Sequence, residues 1–260
     1  DGSAKETVSA TSGQSGYIGH TYASAGTYTI RISGSMKRYG RGGDVNIAGE
    51  TLLTRVDSFG KLGITSFAFA FYNCTGLMSV PKTLSSGVTN TSYMFYGCSN
   101  AAFNPDVSNW DVSKVINMND MFAYCYGAAF NPDVSKWDVS KVTDMSYMFA
   151  YCSHQNFRGG RGADGLGAGI ANWTPKSLST TGLSNFMLSA RKQESTYLDS
   201  ILNAWAALIG DPVNPLPTGI TCHFGSTKYT SAGADSFALL TAPISSGGAA
   251  WTISSGGLEA

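Results

Sequence analysis

Charge is scarce in this chain. Lys, Arg, Asp and Glu make up 13% of its 260 residues, against about 25% in an ordinary globular domain. The 17 basic and 17 acidic side chains cancel, so no basic excess argues for nucleic acid or an anionic membrane as the main partner. Long apolar runs are also missing: no window of about 18 consecutive apolar residues exists, which leaves no helical membrane span. Histidine occurs three times, as His20, His154 and His223, and none lies in an H-E-x-x-H frame. The five cysteines include no C-x-x-C pair of the kind zinc sites favour. There is no G-K-[ST] phosphate loop. Gly160 to Gly165 spells G-x-G-x-x-G, but no buried strand precedes it and no helical pattern follows, so it fails as a dinucleotide site. No signal peptide opens the chain, which begins at Asp1 without an initiator Met, as a processed or truncated product would. Gly, Ser, Thr, Ala and Asn fill the polar positions, a surface that suits an extracellular or virion protein.

Repetition takes the place of chemistry. Val88 to Cys98 (V-T-N-T-S-Y-M-F-Y-G-C) returns as Val115 to Cys125 and again as Val142 to Cys152. The linking phrase Phe103 to Lys114 returns as Phe130 to Lys141, at the same step of 27 residues. A fixed period of about 20–50 residues marks a stacked-repeat architecture. Val115, Met118, Met121, Phe122 and Cys125, like Val142, Met145, Met148, Phe149 and Cys152, predict one apolar face of a helical turn or short helix. Trp110-Asp111-Val112 and Trp137-Asp138-Val139 fit the extended side of a coil. Asn104-Pro105-Asp106 and Asn131-Pro132-Asp133 supply turns. One coil cannot bury its apolar face alone, whereas stacked coils do so together. Cys74, Cys98, Cys125 and Cys152 share one phase of the repeat and read as small buried residues rather than as disulfides. The expected fold is an α/β repeat solenoid of about five coils, about 25 Å long at the spacing of stacked strands. Residues 64–194 form the stack, 1–63 a β-rich N-terminal cap and 195–260 an α+β C-terminal cap, because an open end would expose apolar edges.

Ile64 to Leu77 has the form I-x-x-F…F-x-x-C-x-x-L, and the M-F-x-x-C and W-D-V-S-K-V-T-D-M phrases follow it. Over about Ile64 to Leu188 these motifs resemble the BspA-like (Treponema-type) leucine-rich repeat, in a 26-residue-class variant found in bacterial surface lipoproteins and phage tail or fibre proteins. The resemblance implies a non-enzymatic component of a virion surface or an extracellular cell surface: first a phage tail, fibre or decoration protein, and second a bacterial adhesin. The partners it implies are other virion or surface proteins and a host-surface glycan or protein, with homo-oligomerisation open. It implies no cofactor.

Toward the N-terminus, His20-Thr21-Tyr22…Gly26-Thr27-Tyr28-Thr29-Ile30 resembles the last strands of a PKD-like sandwich, and Tyr28 to Ile32 alternates as a half-buried strand would. Further short strands are expected at Val45–Ile47 and Leu52–Val56. Past the stack, Ser195 to Ile209 predicts a helix with Leu198, Ile201, Leu202, Trp205 and Leu208 inward. Ser231 to Thr241 predicts a second, with Ala234, Phe237, Ala238 and Leu240 inward. Thr221–Phe224 and Trp251–Ile253 read as strands, with Cys222 buried.

The rhythm breaks once. Trp137 should recur after 27 residues, but Trp173 comes after 36. The nine extra residues fall in 158–169, and a repeat insertion maps to a loop that often serves binding. Arg158, Arg161 and Asp164 of that loop, with Tyr96, Tyr124, Tyr126 and Tyr151 on the coil face, are the candidate binding residues. Asp106, Asp133, Asp111 and Asp138 should stack as turn acceptors. Calcium at Asn104/Asp106 and Asn131/Asp133 would need several oxygen ligands where one coil offers few. A glycosidase would need two carboxylates across a cleft, and the repeats offer no evident cleft.

Overall fold

The computed structural model describes residues 26–33, 35–39, 52–155, 157–161 and 169–259. The chain divides into two compact units, Asp1–Ser33 and Gly34–Ala260. In the first, the described residues form no strand; Ile30 is 71% exposed. The alternation Tyr28 to Ile32 therefore does not pair into the expected half-buried strand. The expected strand at Val45–Ile47 lies outside the described residues, and Leu52–Val56 contributes a single bridge, Arg55 to Ser79.

In the second unit successive repeats bond to one another through backbone. A row of parallel bridges joins Arg38 to Ser66, Ser66 to Asn90, Asn90 to Asn117 and Asn117 to Asp144. In the segment after each bridge the N–H groups take turns. Thr91, Tyr93, Phe95 and Gly97 donate to the carbonyls of Asn117, Asn119, Met121 and Ala123 in the next repeat, at 2.9–3.0 Å. Met94, Tyr96 and Cys98 donate back three residues within their own repeat, to Thr91, Tyr93 and Phe95. Met118–Cys125 and Met145–Cys152 do the same. The three-residue spacing is thus a string of turns and not the short helix that is the other reading of it. A helix would keep every N–H bond to itself; here alternate ones serve the neighbour. The cost falls on φ, which is positive at two sites four residues apart in every repeat: Phe69/Asn73, Tyr93/Gly97, Asp120/Tyr124, Tyr147/Tyr151 and Asn185/Ser189.

The side chains that close each turn are those of the bridge row. Asn90, Asn117 and Asp144 each accept the N–H two residues on at 2.9 Å, the Asx-turn habit of these residues. Asp111, Asp133 and Asp138 do likewise for Ser113, Ser135 and Ser140. Asn104 and Asn131 bond across repeats instead, accepting the backbone N–H of Asn131 and Arg158. These oxygens are engaged in holding backbone, and among the described residues no group of three His, Cys, Asp or Glu could hold a metal ion.

Apolar side chains stack in register beneath this frame. Phe71, Phe95, Phe122 and Phe149 form a column of rings 5.5–5.6 Å apart. Phe103, Phe130 and Phe157 form a second. The Cys98, Cys125 and Cys152 thiols donate to the carbonyls of Phe71, Phe95 and Phe122. All five cysteines are buried, and none is joined in a disulfide. The indole N–H groups of Trp110, Trp137 and Trp173 donate to Pro81, Val107 and Val134 at 2.9–3.0 Å. Trp110-Asp111-Val112 and Trp137-Asp138-Val139 are not strands; their tryptophans staple one repeat to the one before.

One core runs from the repeats into the C-terminal elements. Helix α1 (Ser195–Ala206) buries Leu198, Ile201, Leu202 and Trp205. Strands β1 (Thr221–His223) and β2 (Thr252–Ser254) pair in parallel, with Cys222 buried beside Leu183 of the last repeat. Helix α2 (Ser231–Thr241) packs on α1, and buried Asp199 of α1 accepts from the N–H and hydroxyl of Thr230, the N-cap of α2. Leu240 of α2 is buried as expected, whereas Ala238 is exposed, and Gly233 lies inward where its Cβ would strike Asp199. No helix among the described residues is long and apolar enough to cross a membrane.

Trp137→Phe should keep most of the ring packing and leave the Val107 carbonyl with the Trp110 N–H as its one donor in place of two. A loss of about 0.5–1.5 kcal/mol is expected, read as a lower urea midpoint with unchanged slope. A midpoint equal to the parent's would mean that the staple contributes nothing.

Candidate functional site: an aromatic ridge and an open cleft

The alternating turns decide which side chains face out. Tyr72, Tyr96, Tyr124 and Tyr151 form a continuous outer column, with neighbouring rings 4.7, 5.1 and 4.4 Å apart. The column changes position midway. Tyr72 and Tyr96 come from the residue two before the cysteine, Tyr124 and Tyr151 from the residue immediately before it. Gly97 and Ala123 occupy the complementary sites, so each repeat offers one ring to the column. A second, shorter column pairs Phe69 with Tyr93 at 4.6 Å and an interplanar angle of 4°. The rings lie face to face in the Tyr72–Tyr96 and Tyr124–Tyr151 pairs, at 4° and 12°, and are tilted by 49° between Tyr96 and Tyr124, so the ridge presents mainly ring edges and hydroxyls.

Asp120 takes the place of the next ring. It is 8% exposed, hydrogen-bonds the Tyr93 hydroxyl, and accepts from the Asn119 amide at 3.1 Å. Burial is the main cause that raises its carboxyl from 3.8 to about 6; Asp144 adds to it, and the Tyr93 and Asn119 hydrogen bonds oppose it. Burial and then the Asp120 charge push Tyr93 up to about 12. Tyr96 likewise rises to about 12, through burial and then the neighbouring tyrosines.

Of the candidate residues read from the sequence, the structure thus unites Tyr96, Tyr124 and Tyr151. Tyr126 stands apart, 51% exposed, and lines an open cleft with Ser153, His154 and Gln155. The inserted loop divides. Asp164 lies outside the described residues. Arg158 is half-buried, while Arg161 is buried at 9% exposure. Arg161 pairs with Glu194 at 3.3 Å and lies 4.2 Å over the Tyr197 ring. The Tyr197 hydroxyl donates to the Gly159 carbonyl and accepts from the Ile170 N–H, at 2.9 and 3.0 Å. The loop's two ends are therefore clamped to α1, and Arg161 acts in that clamp rather than as a surface contact. The ridge members not singled out in the sequence, Phe69, Tyr72, Tyr93 and Asp120, share the phase of the repeats, and that phase was their available signal. Arg191, which bonds the Cys152 and Phe157 carbonyls, carried none.

Residues 65–160, less than half of the chain, match the family model described as "Mycoplasma protein of unknown function, DUF285". No curated protein matches the chain, and no solved structure does.

The folded state holds the Asp120 proton more tightly than the unfolded chain, so this residue's contribution to stability is complete below about pH 3.8 and lost as pH rises through about 6. Asn tolerates the positive φ there, as Asn185 does at the equivalent site. Asp120→Asn should therefore gain about 1–2 kcal/mol near neutral pH and little near pH 4. Urea midpoints at the two pH values test this; a parallel pH dependence in both proteins would clear Asp120. Tyr197→Phe should cost about 1–3 kcal/mol by leaving Gly159 and Ile170 unpaired, again read by denaturation.

Proposed function

We propose that the chain is a non-enzymatic surface component: a repeat solenoid of the BspA-like leucine-rich kind that carries a binding face, in a phage virion as a tail, fibre or decoration protein. The observation that supports this reading is the use to which the repeated polar groups are put. Asp111, Asp133 and Asp138 close turns, and Asn104 and Asn131 link repeats, which makes the ladder a scaffold. Among the outward groups left for contact are an edge-on tyrosine ridge and an open polar cleft, features suited to recognition. The match of residues 65–160 to a family of unknown function is compatible with a surface role without specifying one. The second reading, a bacterial cell-surface adhesin, draws on the same repeat resemblance.

Antibody raised against the chain, used to label intact particles and cells for electron microscopy, separates the two. Label on a tail, fibre or capsid is expected; label on the cell envelope alone favours the adhesin, and label confined to the cell interior rejects both. Purified protein should release no reducing sugar from host-surface polysaccharide, and sustained release would overturn the non-enzymatic reading.

A further inference from the structure

The loop that ends the fourth repeat, Cys152 to Arg158, differs from its counterparts. After the cysteine the earlier repeats read Thr75-Gly76, Ser99-Asn100 and Tyr126-Gly127, and this one reads Ser153-His154-Gln155. Its cleft is shared with Tyr126 from the repeat before. Among the described residues no ring stacks on Tyr126, so unlike the ridge tyrosines it has a face to offer. Arg191 spans the same loop. Its N–H donates to the Cys152 carbonyl at 3.0 Å and its guanidinium to the Phe157 carbonyl at 3.1 Å. Arg158 follows directly. Burial, then the charges of Arg158 and Arg161, depress the Arg191 pKa against the opposing pull of Glu194. Glu194 is already the partner of Arg161. Neither Arg158 nor Arg191 has a salt-bridged carboxylate among the described residues. In a chain with so few charges and no net charge, two neighbouring guanidiniums at the foot of the loop that lines the cleft are a local concentration of positive potential.

We propose that this cleft binds an anionic saccharide, with a sugar ring against Tyr126, its hydroxyls at Ser153, His154 and Gln155, and its carboxylate or sulfate at the Arg158–Arg191 end. The side chains present supply each part. An exposed aromatic face accepts the apolar face of a pyranose. Hydroxyl, imidazole and amide groups both donate and accept, as sugar hydroxyls require. Guanidinium forks bind planar carboxylates and sulfate oxygens in paired hydrogen bonds. The inference deepens the binding role proposed above and rests on it. The two fail separately, because imaging reads where the chain sits and titration reads what the cleft takes.

The full chain is titrated calorimetrically with sialyllactose and with a heparin tetrasaccharide, each against its uncharged counterpart, lactose and the desulfated tetrasaccharide, and with inorganic sulfate alone. At least one charged saccharide should bind about tenfold or more tighter than its neutral form, and more weakly as salt rises. Tyr126→Ala and Arg158→Ala, with unchanged circular dichroism, should each weaken that binding about tenfold. Lys82→Ala, which removes a distant exposed ion pair with Asp106, should leave it unchanged. Binding of neither charged probe overturns the proposal. So does equal binding of charged and neutral forms, or affinity for inorganic sulfate that matches the saccharide and ignores Tyr126→Ala.

Discussion

In four successive turn segments, 67–73, 91–97, 118–124 and 145–151, alternate backbone N–H groups leave their own repeat and bond to the next. No repeat can satisfy its backbone alone, and an unpaired buried N–H or carbonyl costs about 1–3 kcal/mol. The arrangement also forces two residues per repeat into the left-handed region, at about 1–2 kcal/mol each where the residue is not glycine. Tyr93, Tyr124, Tyr147 and Tyr151 accept that conformation although aromatic residues have no intrinsic liking for it. The backbone bonds and the ring columns they bring into register offset the cost. Stability is therefore a property of neighbours, and an error in one repeat is felt in two.

The side-chain ladders are consequences of that register. Phe71, Phe95, Phe122 and Phe149 stack because equivalent backbone atoms are bonded, and the Cys98, Cys125 and Cys152 thiols reach equivalent carbonyls for the same reason. Trp173 shows how strongly the register is held. It comes nine residues late, yet its indole reaches Val134, the equivalent of the Val107 that Trp137 reaches. The extra residues fall between Phe157, which itself stays in phase on Phe130, and Trp173. Gly160 permits the return, since a Cβ there would lie 2.8 Å from the Val134 side chain.

Burial was the legible part of this molecule. The Met118, Met121, Phe122 and Cys125 row, the tryptophans, the turn role of the D-V-S aspartates and both C-terminal helices follow from residue type and period. The path of the backbone was not legible. A helix and a string of turns both place apolar residues three apart, and only the sign of φ separates them. Asn73, Gly97 and Asn185 at the positive sites hint at it, but Tyr and Asp at the same positions hide it. Pairing was the other blind spot. Tyr28 to Ile32 alternates like a strand, yet alternation states which face could be buried and not whether a partner strand is there. Arg161 reads as a candidate contact on an exposed loop because nothing local reveals that it packs over Tyr197 and pairs with Glu194.

These constraints also sort the surface by what it is free to do. A residue inside the stack answers to the repeat before it and the repeat after it, so its side chain is chosen by two neighbours. The ridge tyrosines are of this kind: each ring packs on a neighbouring ring, which leaves mainly edges and hydroxyls outward. Asp120, held among Tyr93, Asn119 and the charge of Asp144, is bound in the same way. Freedom begins where a neighbour is lacking or displaced. After Cys152 the sequence departs from the regular linker, and Arg191 bonds the Cys152 and Phe157 carbonyls on either side of the departure. Tyr126 and His154 line the cleft there, where the lattice that fixes the ridge no longer dictates their positions.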